Sequence, residues 1–284
     1  MKLKKGTALL LVPALLLILV FKIYPIFLAL YGSFLHSVGG QMKEFAGLQN
    51  YINLFHDPVF WKSLKVTLVF NVIVNPVQIG LAILLALMVN QKFKGVTVIR
   101  SILYLPVTIS ISVAAIIWGI LLNPNNGVVN GILGSMGLSA QPFLVSEKQA
   151  LWSIILIASW KGIAYWMMFL LAGLQGIPES LYEAARVDGS NVFQTTFRIV
   201  LPMLKRSIAF VVVADTVANL LMFSPMYLLT SGGPNMSTNV LMYEAYKSNF
   251  AYVDMGRSYS MVIVLFILIF SIVGFQLKFL KADY

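Results

Sequence analysis

Long apolar runs dominate this sequence and restrict it to folds that can keep a polypeptide backbone out of contact with lipid. Six runs are long enough, as helices, to cross the roughly 30 Å hydrocarbon core of a bilayer. They cover residues 8–33, 64–89, 98–122, 150–175, 205–230 and 259–280. Each backbone N–H and C=O in lipid needs an internal partner, and the runs lack the strict alternation of barrel strands. The sequence therefore predicts an all-α membrane protein with six transmembrane helices.

The composition supports this class and argues against several kinds of site. Hydrophobic residues make up 59% of the 284 residues and charged residues only 11%, which is too apolar for a soluble domain. The chain has no cysteine and 2 histidines, so we expect no disulfide and no metal site. Since no polar linker or charge block divides the sequence, we expect a single domain over residues 1–284.

The distribution of positive charge predicts the orientation of the helices. With both termini in the cytoplasm, the inner loops hold about twice as many Lys and Arg residues as the outer loops, in agreement with the positive-inside rule. The net charge of +10 then reflects retained cytoplasmic loops rather than nucleic-acid binding. The first run starts like a signal peptide but lacks a small-residue cleavage site, so we expect an uncleaved first helix.

One polar segment, residues 176–203, interrupts the apolar runs between the predicted fourth and fifth helices. Gly189 can take the left-handed conformation that ends a helix. Asn191 and Gln194 have the spacing of a capping box for a second helix, which Pro202 would end. The segment is suited to dock on a partner or, alternatively, to lie on the membrane surface as a solvated loop. Its candidate contact residues are Tyr182, Ala184, Ala185, Val187 and Phe193.

The same segment resembles the signature of a known transporter family. Its residues match the pattern E-A-A-x3-G-x9-I-x-L-P of permease subunits in binding-protein-dependent ABC importers. The matching residues are Glu183, Ala184, Ala185, Gly189, Ile199, Leu201 and Pro202. Further stretches resemble the maltose-type sugar permeases, so that the resemblance covers nearly the whole chain. These stretches are residues 47–70, 93–110, 160–178 and 228–234.

The resemblance implies both a fold and a set of partners. It implies half of a heterodimeric pore that works with a second permease subunit, two ATPase subunits and an extracytoplasmic solute-binding protein. The ATPase-coupling residues that it implies are Glu183, Ala184, Ala185, Asp188, Gly189, Leu201 and Pro202. The chain has no G-x-x-x-x-G-K-[ST] phosphate loop, so we expect it to be no enzyme and to bind no cofactor, with ATP and Mg²⁺ on the partner ATPases. We expect a sugar-importer subunit in a prokaryotic plasma (inner) membrane.

Two ionisable residues at membrane depth are the first candidates for contact with a solute. Lys161 and Asp215 fall near the midplane of the predicted fourth and fifth helices, counting 1.5 Å per residue. By resemblance, five positions align with sugar-contacting positions of the maltose-type pore: Lys161, Gly162, Tyr165, Asp215 and Asn219. Lys161 and Asp215 depart from the residue types found there. Either these two charges neutralise each other, or Lys161 meets an anionic group of the solute.

Amide side chains in the second predicted helix form another polar stripe. Asn71, Asn75 and Gln78 share one helical face, where they would either bond neighbouring helices or line the pore. Thr108 in the third predicted helix is a further candidate pore-lining residue.

Other functions remain open at the level of the sequence. Within the importer class, a permease for glycerol-phosphate or another small polar solute is the main alternative. A secondary transporter would need no ATPase, but the sequence shows no clear internal repeat and such a transporter would leave the polar segment without a task. An intramembrane enzyme would need a catalytic constellation, for which Lys161 and Asp215 alone are thin evidence.

Overall fold

The fold is helical over most of its length. The computed structural model describes residues 5–38, 41–91 and 93–280. Its α-helices are α1 Lys5–Ile18, α2 Tyr24–Gly32, α3 Gln49–His56, α4 Pro58–Val89, α5 Val96–Thr108, α6 Ile111–Leu121, α7 Val128–Ser135, α8 Ala150–Gln175, α9 Glu179–Val187, α10 Val192–Thr195, α11 Leu201–Met203, α12 Lys205–Leu220, α13 Ser224–Thr230, α14 Leu241–Phe250 and α15 Met255–Phe279. π-Helical turns, Leu19–Ile23 and Thr196–Val200, join α1 to α2 and α10 to α11. Strands β1 Leu35–Val38 and β2 Gln41–Phe45 form an antiparallel hairpin.

Apolar helices of spanning length confirm a multi-pass membrane protein. Within the described residues, 4 helices are long and apolar enough to cross a bilayer: Leu11–Gly32, Pro58–Val89, Ala150–Gln175 and Met255–Phe279. The bent pairs α5–α6 and α12–α13 raise the number to 6 if each pair is one span, which agrees with the prediction. The short hairpin is a departure from a purely helical fold. The extreme ends, residues 1–4 and 281–284, lie outside the described residues, and their cytoplasmic location stays a prediction.

Two of the predicted helices are broken, which corrects the sequence-based boundaries. The third, predicted over 98–122, consists of α5 and α6 with a bend of 97°. Ile109 and Ser110 have an extended backbone there. The Ser110 hydroxyl caps α6, because it accepts a hydrogen bond of 3.2 Å from the backbone N–H of Val113. The fifth, predicted over 205–230, bends by 40° before α13, which has Pro225 in its first turn and so lacks one N–H. Hydropathy and length alone do not report such changes of direction.

The polar segment 176–203 forms short helices, as predicted. The first, α9, ends before Gly189, whose φ of +73° is the expected left-handed conformation. Both bonds of the capping box between Asn191 and Gln194 are present, at 2.8 and 3.0 Å. The prediction that Pro202 ends the second helix is wrong, because Pro202 lies inside α11. A π-helical turn precedes it, and this wider turn lets the chain continue although proline lacks an N–H.

The described residues form two compact units, each with its own interior. The first unit comprises the described residues of Met1–Trp61 and Glu244–Leu268. The second comprises those of Lys62–Tyr243 and Ile269–Tyr284. The prediction of a single domain over 1–284 stays a prediction.

A cluster of charged side chains lies in the first unit. Arg257, near the start of α15, places Nη2 2.6 Å from Asp57 Oδ2 and 3.1 Å from Glu244 Oε1. Its Nη1 donates a hydrogen bond of 2.7 Å to the Ser248 hydroxyl. Lys247 provides a further cation 2.7 Å from Glu244, whose side chain is 0% exposed. Because a buried carboxylate is costly without its cations, Arg257 stabilises the packing of α14 against the start of α15.

The second unit is built on close helix packing. Its buried core includes Ala82 and Ala86 of α4 together with residues of α8 and α12. Small side chains of this kind let membrane helices approach each other closely. One close approach between helices is at Gly162 of α8, where an added Cβ atom would lie only 2.5 Å from Cδ of Gln78 on α4. Gly162 is therefore required for the observed contact between α8 and α4.

Replacing Arg257 by Met is expected to lower the free energy of unfolding by up to about 3 kcal/mol. This value is at the low end for the loss of one partner of a buried ion pair, because Lys247 still neutralises part of the charge on Glu244. The melting temperature of the detergent-purified protein measures this change. Lys148→Met, which removes an exposed cation, is the control and should leave the melting temperature unchanged. Equal melting temperatures for the two variants would contradict the stabilising role of Arg257.

Replacing Gly162 by Ala is expected to lower the free energy of unfolding by about 1–3 kcal/mol, because the new methyl group would overlap Gln78. Gly80→Ala is a matched control on α4, where an added Cβ meets nothing within 4 Å. Alanine favours a helix over glycine by about 1 kcal/mol, so the control should be neutral or stabilising. If both variants melt alike, the close contact is not needed for stability.

Candidate solute cavity and coupling segment

A cavity of about 480 Å³ lies in the second unit, between α8, α12 and the break of the α5–α6 pair. This volume is within the usual range for small-molecule sites, about 300–1,000 Å³. The cavity is lined by Gln78, Val107, Ile111, Ala158, Lys161, Gly162, Tyr165, Trp166, Asp215, Ala218, Asn219, Leu221, Met222, Phe223 and Ser224. The five residues predicted to contact a solute are all in this lining. The structure thus brings them together, and their contact with a solute stays a prediction.

Asp215 offers one unpaired carboxylate oxygen at the cavity. Its Oδ1 accepts hydrogen bonds from Trp166 Nε1 at 2.6 Å and from Asn219 Nδ2 at 3.0 Å. Its Oδ2 is buried and has no hydrogen-bond partner among residues 5–38, 41–91 and 93–280. The residue as a whole is 1% exposed. A solute with a hydroxyl group would satisfy this acceptor.

Lys161 has different partners, all of them backbone carbonyls. Its Nζ donates hydrogen bonds of 3.1 Å to Pro106 O and to Val107 O, and a further one to Ile109 O. Within the described part of the chain, no ion pair of 4 Å or less joins Lys161 to Asp215 or to another carboxylate. The two charges therefore do not neutralise each other by direct contact.

Aromatic rings form one wall of the cavity region. Tyr165 is 40% exposed and lies in edge-to-face contact with Trp166, with ring centroids 4.8 Å apart. Phe169, one helical turn further along α8, stacks on Phe210 of α12 at 5.4 Å. An exposed tyrosine ring held by such neighbours is suited to contact the apolar face of a sugar ring.

The amide side chains of the stripe on α4 have different surroundings: some bond a neighbouring helix, and one lines the cavity. Gln78 lines the cavity and accepts a hydrogen bond of 3.2 Å from Asn219. Asn75 bonds Asn219 at 2.7 Å and Thr216 at 3.1 Å, which links α4 to α12. Asn71 donates to the backbone of its own helix. Thr108 also bonds its own helix, and neither Asn71 nor Thr108 is among the residues that line the cavity.

Sequence reasoning missed the residues that support Asp215 and form the apolar part of the lining. Trp166 is the clearest case, because its indole N–H holds the Asp215 carboxylate. A signal was available: Trp166 lies near the middle of α8, whereas membrane tryptophans favour the interfaces, and a buried indole N–H needs an acceptor. Val107 and Ile111 carried no signal, because they reach the cavity only through the 97° bend between their helices.

One face of the coupling segment, residues 176–203, packs on its own chain. Ala185 is only 3% exposed and Val200 is also buried. Tyr182 packs against the buried core of the second unit, and burial raises its pKa above the usual value of a phenol. Tyr182 thus packs on α4, α8 and their neighbours, Ala185 is buried within its own chain, and the contact of both residues with a partner stays a prediction.

The opposite face of the coupling segment is open. The apolar side chains Val187 and Phe193 are 87% and 69% exposed. Most of the predicted ATPase-coupling residues are exposed or half-buried: Glu183, Ala184, Asp188, Gly189, Leu201 and Pro202. Exposed apolar side chains next to charged ones are typical of a surface that binds another protein.

Comparisons with known proteins agree with this architecture. Residues 78–280 match the family described as "Binding-protein-dependent transport system inner membrane component". The chain is 33% identical over 275 residues to the sn-glycerol-3-phosphate transport system permease protein UgpA of Agrobacterium fabrum (strain C58). The aligned region covers 96% of this chain and 94% of that protein.

Two solved bacterial transporter structures have the same fold. One contains an alginate ABC transporter in complex with an alginate pentasaccharide-bound periplasmic protein; its matching chain has a TM-score of 0.86 and 25% identity, over 96% of this chain and 93% of that chain. The other is a bacterial ABC transporter involved in the import of the acidic polysaccharide alginate, with a TM-score of 0.83 and 26% identity, over 96% and 94%. Together with the family match, these likenesses show that the chain belongs to the inner membrane components of binding-protein-dependent transport systems and is an ABC importer permease.

Proposed function

We propose that this chain forms half of the pore of an ATP-driven importer for a sugar or oligosaccharide, in the plasma membrane of a prokaryote. A second homologous permease subunit forms the other half, and an extracytoplasmic solute-binding protein delivers the solute. The observation that carries the proposal is that five predicted solute-contact residues line one cavity in the unit that also holds the coupling segment.

The chemistry of the cavity supports a polyhydroxylated solute. The Asp215 Oδ2 atom and the Gln78 amide offer hydrogen-bond groups, while Tyr165 offers an exposed ring. Sugars present both hydroxyl groups and apolar ring faces, so such a mixed lining binds them by hydrogen bonds and by aromatic contact.

An acidic solute is the second candidate, favoured by the charge of Lys161. This cation lines the cavity and is paired with no carboxylate in the described ranges of the chain. The similar proteins named above include a permease for sn-glycerol-3-phosphate and a transporter of an acidic polysaccharide. A positive charge that is not paired with a carboxylate attracts an anionic group in a cavity of low dielectric constant more strongly than in water.

The coupling segment is the proposed docking surface for the ATPase subunits on the cytoplasmic side. Glu183, Val187, Asp188 and Phe193 are exposed on it, while Tyr182 packs the same segment on the core of the membrane helices. A rigid link of this kind transmits movement of an ATPase into the pore. ATP and Mg²⁺ belong to the ATPase subunits in this proposal, and the present chain supplies no catalytic residue. A secondary transporter would leave the exposed apolar side chains without a partner.

Glu183→Arg and Phe193→Asp are expected to abolish co-purification with the ATPase subunits, because one reverses a charge and the other places a charge in an apolar contact. The melting temperature of the permease should stay unchanged, since both side chains are exposed. Lys148→Glu, in a loop outside the coupling segment, is the control and should leave the complex intact. Retention of the ATPase by both variants would contradict this docking surface.

Asp215→Asn is expected to lower ATP-dependent uptake of carbohydrate by about 10- to 100-fold. This factor corresponds to the loss of one hydrogen bond to a charged group. Uptake is measured in proteoliposomes that hold the complete transporter and its binding protein. Asn71→Ala, on α4 but outside the cavity lining, should reduce uptake much less. Comparison of a neutral and an acidic oligosaccharide of equal length identifies the preferred class. Uptake by Asp215→Asn at the wild-type rate would argue against this cavity as the solute site.

A further inference from the structure

The break between α5 and α6 leaves backbone carbonyls without helical partners. α5 ends at Thr108 and α6 begins at Ile111, with a change of direction of 97°. Ile109 and Ser110 have extended ψ angles of 150° and 153°. The last four carbonyls of a helix have no N–H partner within the helix, and in lipid no water replaces the missing donors. For the bend to persist, these carbonyls need donors from another part of the protein or from water in the adjacent cavity.

Lys161 supplies these donors from another helix. Its ammonium group bonds Pro106 O and Val107 O on one side of the break and Ile109 O within the break. An ammonium group has three N–H donors, so these bonds use all of them. Its positive charge also lies at the C-terminal end of α5, which is the negative end of the helix dipole. The contact is therefore favourable in hydrogen bonding and in charge.

We propose that Lys161 is a positioning residue that holds the third span in its bent form and thereby shapes the solute cavity. Val107 and Ile111, one on each side of the break, both line that cavity. A straight third span would remove this part of the wall. The inference rests on the proposed role of the cavity as the solute site, and it deepens that proposal.

This role differs from direct binding of a solute anion by Lys161. A solute that accepted a hydrogen bond from Nζ would displace one of the three carbonyls and leave it unsatisfied at the break. Removal of Lys161 should consequently affect neutral and acidic solutes alike. Removal of an anion-binding lysine would affect acidic solutes only.

The bend itself is measured by spin-label distances. The chain has no cysteine, so Val98→Cys and Ile120→Cys would place its only two thiols on exposed sites of α5 and α6. At 1.5 Å per residue, their Cα atoms would lie about 33 Å apart in a straight helix and about 22 Å apart across a bend of 97°. In the assembled transporter, Lys161→Met is expected to lengthen the distance toward the straight value. Lys22→Met, which removes an exposed lysine from another span, should not change it.

Transport gives a second readout. Lys161→Met is expected to reduce the uptake of neutral and of acidic oligosaccharides by a similar factor of at least tenfold. Lys161→Arg keeps a cation with several N–H donors, so it should retain the short spin-label distance and most of the uptake. If Lys161→Met does not yield folded protein, Lys161→Gln, with two N–H donors, is measured in its place and should show a partial shift to the longer distance.

Two results would overturn the inference: an unchanged spin-label distance in the Met or Gln variant, or loss of acidic-solute uptake with neutral-solute uptake intact. Failure of the proposed function is recognised separately, as the absence of ATP-driven carbohydrate uptake by the wild-type complex. The distance measurement still decides the role of Lys161 in that case, because it needs no solute.

Discussion

The need to satisfy backbone hydrogen bonds in lipid governs this structure. It explains why the apolar runs are helices, since a helix satisfies its own N–H and C=O groups. It also explains why a break in a helix at membrane depth is accompanied by a polar side chain from another helix. Where α5 breaks, the ammonium group of Lys161 bonds the carbonyls of Pro106, Val107 and Ile109. A half-buried cation and an open helix end thus satisfy each other.

The same principle separates the two charges of the cavity. Asp215 is held by N–H groups from Trp166 and Asn219, while Lys161 is held by carbonyls. Each charge has a complete or nearly complete shell of neutral dipoles, so neither needs the other. The other carboxylate oxygen of Asp215, Oδ2, has no hydrogen-bond partner among the described residues. The cavity lining thus contains a carboxylate and a cation that do not pair with each other.

The coupling segment combines an anchored face with an open one. Val200 and Tyr182 pack on the membrane helices, and Val187 and Phe193 are exposed. A helix that contacted only the partner, and not the membrane helices, would move without effect on the pore. A helix buried on all sides would offer a partner nothing to bind. The division between the two faces is what makes the segment suitable for transmission of movement.

The sequence by itself determined the apolar helices and the capping of the coupling segment at Gly189 and Asn191, because helical periodicity and caps act within a few residues. The family resemblance added five of the residues that line the cavity. Only the tertiary structure decided the 97° bend, the partners of Lys161 and the inward orientation of Ala185. The bonds of Lys161 join residues 52 to 55 positions apart. Contacts over such separations depend on how the helices pack, and hydropathy along the chain carries no record of that packing.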